Sequence, residues 1–236
     1  MKNLSLGLLS LIISSLSLNA QSDEYFKSFM EEADINSVIY RGNAPFSYHF
    51  KHEGSYYLIN EKFHTGSIIF NGKKYTDVEI NLNCHIDELI IKIPESISTV
   101  IVNKEFVNSF NIAGKNFIYY NSFNSLSPES GYYQLQYSGR DTLLKKVKKI
   151  YVEEIPQSAT SGTLRRIFKH EENFHIYTGG KWNKAANRRD LIKIYPQIKK
   201  EIKRFIRESK LNFTNDKDNS FLEVVKFAEI NNLRKR

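Results

Sequence analysis

The chain has 236 residues, 34 Lys and Arg against 26 Asp and Glu, a formal charge of +8, and 14 Tyr with 16 Phe. That aromatic content excludes a disordered polymer, and a single cysteine excludes an intramolecular disulfide framework. The basic surplus is compatible with anionic partners, and it is unevenly spread: 24 of the 34 Lys and Arg, but only 12 of the 26 acids, lie in residues 140–236.

At the N-terminus, Met1-Lys2-Asn3 supplies a positive charge. Leu4 to Leu18 is apolar with interspersed serines, and Ala20 precedes the polar run Gln21-Ser22-Asp23-Glu24. This order predicts a secretory signal peptide over residues 1–20, cleaved between Ala20 and Gln21. The apolar run is shorter than the ~20 residues that span a bilayer. The expected product is therefore an exported chain, not an integral membrane protein. It would reside in the periplasm, at the outer membrane or outside the cell. No cysteine follows the apolar run, so acylation there is not expected.

Residues 21–155 read as an antiparallel β region. Ser67 to Phe70, Asn71-Gly72 and Lys73 to Tyr75 form a hairpin pattern, and Asn-Gly favours the positive φ angles of a type I′ turn. Val78, Ile80 and Leu82 alternate with Glu79, Asn81 and Asn83, which predicts a strand buried on one face. Leu89 to Ile93 stops at Pro94, and Val100 to Val102 follows. Phe110 and Ile112 connect to Phe117 and Tyr119 through Ala113 to Asn116. Tyr132 to Tyr137 and a strand from about Leu143 to Val152 complete the series. Such short connections predict an antiparallel meander, curved into a sandwich or partial barrel.

Residues 156–236 read as a hairpin followed by helices, packed on the same core, so the fold class is mainly β with a C-terminal α-helical segment, α+β overall. Gln157 to Gly162 is a polar loop. Leu191, Ile194, Tyr195, Ile198, Ile202, Phe205 and Ile206 recur at three- and four-residue steps, giving one apolar stripe. Pro196 starts a second helix or kinks a single one. Ser220-Phe221-Leu222-Glu223 has the pattern of a capping box at the start of a last helix.

Chemistry is tested against these elements. His170-Glu-Glu-Asn-Phe-His175 is one residue longer than a zinc-peptidase signature. A five-residue offset separates two histidines by roughly 140° on a helix of 3.6 residues per turn and sends them to opposite faces on a strand. Neither arrangement holds one metal. The segment is expected to be a hairpin, with Glu171-Glu172-Asn173 as its turn. Cys84-His85 would pair only if a turn intervened, and a small apolar role is expected for Cys84. No nucleophile elbow, phosphate loop or dinucleotide fingerprint occurs, and Asp216 to Ser220 lacks the glycine and glutamate of a calcium loop. Adjacent acids such as Asp87-Glu88, Glu153-Glu154 and Glu171-Glu172 do not by themselves supply a catalytic pair. Trp182, the sole tryptophan, is expected to bury against the sheet. No catalytic residue, metal ligand or cofactor is assigned.

The basic surplus is densest at Lys199, Lys200, Lys203, Arg204 and Arg207, on the helix surface away from the stripe. These are the candidate residues for an anionic partner. An envelope protein, lipid or glycan fits export, and nucleic acid does not.

Phe70-Asn71-Gly72-Lys73-Lys74-Tyr75 through Asp87-Glu88-Leu89 resembles a β-hairpin module of exported Bacteroidota proteins of unknown function. Ile202 to Phe213 resembles the closing helix of the same proteins. The leader's ending, Asn-Ala-Gln-Ser, resembles their signal peptides. Asp141-Thr142-Leu143 matches the short periplasmic O-glycosylation pattern of that phylum, with Thr142 as the acceptor. The resemblance implies no activity. The expected function is a non-enzymatic binding or structural component of the cell envelope, with a secreted hydrolase of glycan or peptide as the alternative.

Overall fold

The computed structural model describes residues 37–122, 127–155 and 164–233. The leader with its Ala20–Gln21 junction, and the loop Gln157 to Gly162, lie outside them. Among the described residues ten strands form one antiparallel sheet: β1 (His64–Phe70), β2 (Lys73–Asn83), β3 (Glu88–Lys92), β4 (Thr99–Ile101), β5 (Val107–Ile112), β6 (Lys115–Tyr120), β7 (Gly131–Ser138), β8 (Thr142–Glu154), β9 (Arg165–Thr178) and β10 (Lys181–Ala185). Their order is β10-β9-β8-β7-β6-β5-β1-β2-β3-β4. The helices follow as α1 (Arg188–Ile194), α2 (Lys199–Glu208) and α3 (Lys217–Leu233). The fold is α+β, mainly antiparallel β with a C-terminal helical region.

The turn residues account for the tight hairpins. Asn71 and Gly72 have φ of 48° and 77°, the two left-handed positions of a type I′ turn. Ala113 and Gly114, at 50° and 76°, join β5 to β6 in the same way. The meander is interrupted once: β5 pairs with β1 rather than with its predecessor β4. Gly66 permits that pairing, because a Cβ there would collide with the Asn111 carbonyl on β5.

The result is a single open sheet rather than two facing ones, and it curls. The β2–β3 turn, five strands away in the sheet order, returns to β8. Its Cys84 carbonyl accepts from the Lys149 amide at 3.1 Å, and His85 Nδ1 lies 2.8 Å from the Lys149 carbonyl. The hollow holds one apolar cluster in which Ile68, Ile80, Leu89 and Ile91 meet Phe110, Phe117, Tyr132 and Val147.

Residues 53–58 line the strand edges left free. Glu53 bonds the backbone of Arg166 and Phe168, while Leu58 and Tyr56 bond Leu82 and Cys84. This cover corrects the one-sided reading of β2. Asn81 and Asn83 are buried as fully as Leu82, and the Asn81 amide donates to the carbonyls of Asn60 and Lys62. A buried amide is tolerated when its donors are satisfied.

A second cluster joins the sheet to the helices. Leu143, Phe174, Ile176 and Ala185 pack on Leu191, Tyr195, Ile198, Ile202, Ile206, Phe221, Val224 and Val225. The predicted stripe is the buried face of α1 and α2, separated by a 3-10 turn that begins at Pro196. Asn187 caps α1 by accepting from the amides of Arg189 and Asp190. The capping-box expectation is overturned. Helix α3 begins at Lys217, so Ser220 sits inside its first turn, buried, and its amide bonds the Asp216 carbonyl.

The most consequential correction concerns β9. Glu171-Glu172-Asn173 is not a turn; β9 runs unbroken from Arg165 to Thr178 and pairs with β8 along its length. Polar residues persist there because their partners are across the strand. Glu172 accepts from Lys145 at 2.6 Å and lies 2.9 Å from His170 Nε2.

Candidate functional site

Alternation along β9 puts His170 and His175 on opposite faces, as the odd offset requires. His170 is exposed beside Glu172. His175 is half-buried, its ring edge-on to Tyr133 with centroids 5.4 Å apart. Burial, reinforced by the charge of Lys184, pushes its imidazole down to about 4, so it is neutral at neutral pH. No group of three or more His, Cys, Asp or Glu able to hold a metal exists among the described residues.

A turn does intervene at Cys84-His85, but it does not make a catalytic pair. Cys84 is buried with its Sγ 3.8 Å from the Leu82 carbonyl, and burial pushes the thiol up to about 12. A thiol held in that form is a poor nucleophile.

Two adjacent lysines on β8 are the buried cations among the described residues. Lys145 reaches Asp218 in the first turn of α3 at 2.7 Å as well as Glu172. Lys146 reaches Asp87 at 2.6 Å and the Tyr132 carbonyl at 3.0 Å. Burial holds the Lys146 ammonium below its ordinary pKa, against the opposing pull of Asp87. Asp87 also accepts from the Tyr132 amide at 3.1 Å. These pairs fasten α3 and the β2–β3 turn to β8.

The acids that line a cleft together are distant in sequence. Asp141 and Glu229 border a cleft of about 660 Å³ with Arg140, Tyr177 and Gln197. Burial raises the Asp141 carboxyl above the usual range, and Tyr195 donates to it at 2.9 Å. Glu229 accepts from the amides of Arg140 and Asp141. Thr142, next in the chain, is the half-buried first residue of β8.

The predicted basic residues Lys199, Lys200, Lys203, Arg204 and Arg207 are all exposed on α2, and they divide by geometry. Lys203 and Arg207 line an open groove of about 820 Å³ with Arg188, Lys210 and the segment Leu211 to Thr214. A second groove of about 700 Å³ adjoins it, sharing Arg188, Phe213 and Thr214 and adding Arg189 and Lys217. Six cations thus border one continuous depression whose lining contains no carboxylate. None of the six forms an ion pair within the described residues. Arg204 instead points toward Glu208, 4.0 Å away, and Lys199 and Lys200 lie outside the depression.

Arg188, Arg189, Lys210 and Lys217 escaped the sequence reading. Lys210 lies past the end of α2 at a φ of 51°, where helical spacing no longer places a side chain. Arg188 arrives from the N-terminus of α1, which the sequence spacing does not bring near α2. Trp182 is also corrected. It is half-buried on β10, in edge or tilted contact with Tyr120 and Tyr177 at 5.4 and 5.3 Å, and is not part of either core.

A scan against protein-family models finds no match, and neither does a search of curated proteins or of solved structures.

Proposed function

We propose that the protein is an exported component of the cell envelope that binds an anionic polymer, a glycan or lipid surface, in the basic depression between α1, α2 and the start of α3. The observation that carries this reading is the set of six cations, Arg188, Arg189, Lys203, Arg207, Lys210 and Lys217, around a depression with no acidic lining. Unpaired like charges repel one another across a concave surface, and an anion relieves that repulsion. The leader over residues 1–20 supports a role outside the cytoplasm. Retention of the mature chain on an immobilised polyuronate, compared with a neutral dextran, tests the reading. Retention that salt abolishes supports it; equal retention on the neutral polymer contradicts it.

The alternative, a secreted hydrolase, has the Asp141–Glu229 cleft in its favour, since these are two carboxylates of unlike environment beside one hollow. Both nevertheless accept hydrogen bonds that shape the β7–β8 turn and seat Tyr195. Turnover of an envelope glycan or peptide that vanishes with Glu229→Gln, while the variant stays folded, would promote this reading over binding.

A further inference from the structure

The opposite face of the sheet carries a second hollow unrelated to the basic depression. Leu143, Phe174 and Ile176 face the helices, so their neighbours Leu144, Asn173 and His175 face away. On that outer face Tyr133 of β7, Lys146 and Lys148 of β8, Asn173 and His175 of β9, and Trp182 and Lys184 of β10 line a cavity of about 290 Å³, closed on one side by Glu129. Four consecutive strands each supply part of it.

The lining has two characters. Trp182 gives apolar ring surface, while Tyr133 is buried beneath the Lys146 ammonium at the floor. The His175 imidazole is neutral at neutral pH, and with the Asn173 amide it gives uncharged hydrogen-bonding groups. The charges nearly cancel. Lys148 is paired with Glu129 at 3.0 Å and Lys146 with Asp87 at 2.6 Å. Lys184 forms no ion pair among the described residues, although its charge also reaches Glu129, leaving one ammonium without a bonded partner. Its position across from His175 in the β9–β10 register places that charge beside the neutral polar groups.

We propose that this cavity is a binding site for one acidic pyranose, a hexuronate, with the sugar's apolar face on the half-buried ring of Trp182. Its carboxylate lies on Lys184, and its hydroxyls meet Asn173 and His175. The volume, at the lower end of the range for ligand pockets, suits a single ring rather than a buried chain. The single free cation matches one carboxylate. The lining is mostly polar, with one accessible aromatic ring, which suits a ligand that is itself mostly hydroxyl and carboxylate. The site is separate from the basic depression, so it stands or falls independently of the proposed function.

Trp182 is the only tryptophan, so its fluorescence reports this cavity directly. The chain of residues 21–236 is titrated with a galacturonate disaccharide, with the corresponding neutral galactose disaccharide, and with inorganic phosphate. Heat and Trp182 emission are followed together. Saturable binding of the uronate with a change in emission is expected, at least tenfold tighter than the neutral sugar. Lys184→Met weakens it by tenfold or more, while Lys203→Glu with Arg207→Glu leaves it unchanged. Circular dichroism verifies that Lys184→Met is folded, as its exposed position predicts. Absence of uronate binding, equal binding of the neutral sugar or of phosphate, or binding lost in the Lys203/Arg207 variant but kept in Lys184→Met, each overturns the proposal.

Discussion

At the residue scale, the sheet depends on a few buried polar groups whose partners come from far along the chain. Gly131 shows how closely they are fitted. Its φ of 152° is one that other residues rarely adopt, and a Cβ there would collide with both Asp87 and the Lys146 ammonium. Gly131→Ala should therefore lower stability by about 1–3 kcal/mol, read as a reduced urea midpoint. An unchanged midpoint would mean that the Asp87–Lys146 contact contributes little. His175 gives a pH-dependent prediction. Its imidazole is held down to about 4, first by burial and then by Lys184, while the unfolded side chain titrates near 6.5. Between these values the unfolded chain binds a proton that the folded chain refuses. The contribution of His175 thus falls as pH drops from about 6.5 to 4 and is constant on either side. His175→Gln should remove that part of the slope, so that the melting temperatures of variant and parent converge as pH falls through this window. A constant offset between them would contradict the assignment.

At the element scale, patterns set by one segment were legible and those set by a partner were not. Asn71-Gly72 specifies its turn with its own two φ angles, and the α2 stripe needs only helical periodicity. The same stripe gives a packing prediction. Ile202 is fully buried in the second apolar cluster, where α2 meets the other helices, so Ile202→Ala should cost about 2–5 kcal/mol. Lys199→Ala, on the exposed face of the same helix, should stay within about 0.5 kcal/mol. Equal effects in a denaturation series would contradict the buried-face assignment. By contrast, Glu171-Glu172-Asn173 has turn-like composition and yet lies mid-strand. Its stabilising partners, Lys145 and the β8 backbone, lie on another strand. Asn81 misleads for the same reason, since the segment that satisfies it is some twenty residues upstream, while the buried Asn83 accepts from the His85 and Ile86 amides of the turn that follows it. Ser220 looks like a cap because its spacing to Glu223 is right, but α3 gains a further turn at its start, where Asp218 meets Lys145.

At the scale of the whole molecule, one curled sheet presents two different surfaces. Helices and the basic depression occupy one face, and the small cavity occupies the other. The composition and its asymmetry already located the positive charge in the C-terminal part. They did not say which cations converge, because convergence depends on α1 and α2 meeting at an angle set by the 3-10 turn after Tyr195. The central claim, that the depression and not the helix surface in general binds an anionic polymer, is tested most directly by a comparison of two charge reversals. The affinity of residues 21–236 for a soluble polyuronate is measured by calorimetry at rising salt for the parent, for Lys203→Glu with Arg207→Glu, and for Lys199→Glu with Lys200→Glu. Both variants change net charge equally, so they differ only in place. The account predicts that affinity falls steeply with salt and drops at least tenfold further in the 203/207 variant than in the 199/200 variant. Equal losses in the two variants, or an affinity indifferent to salt, would contradict it.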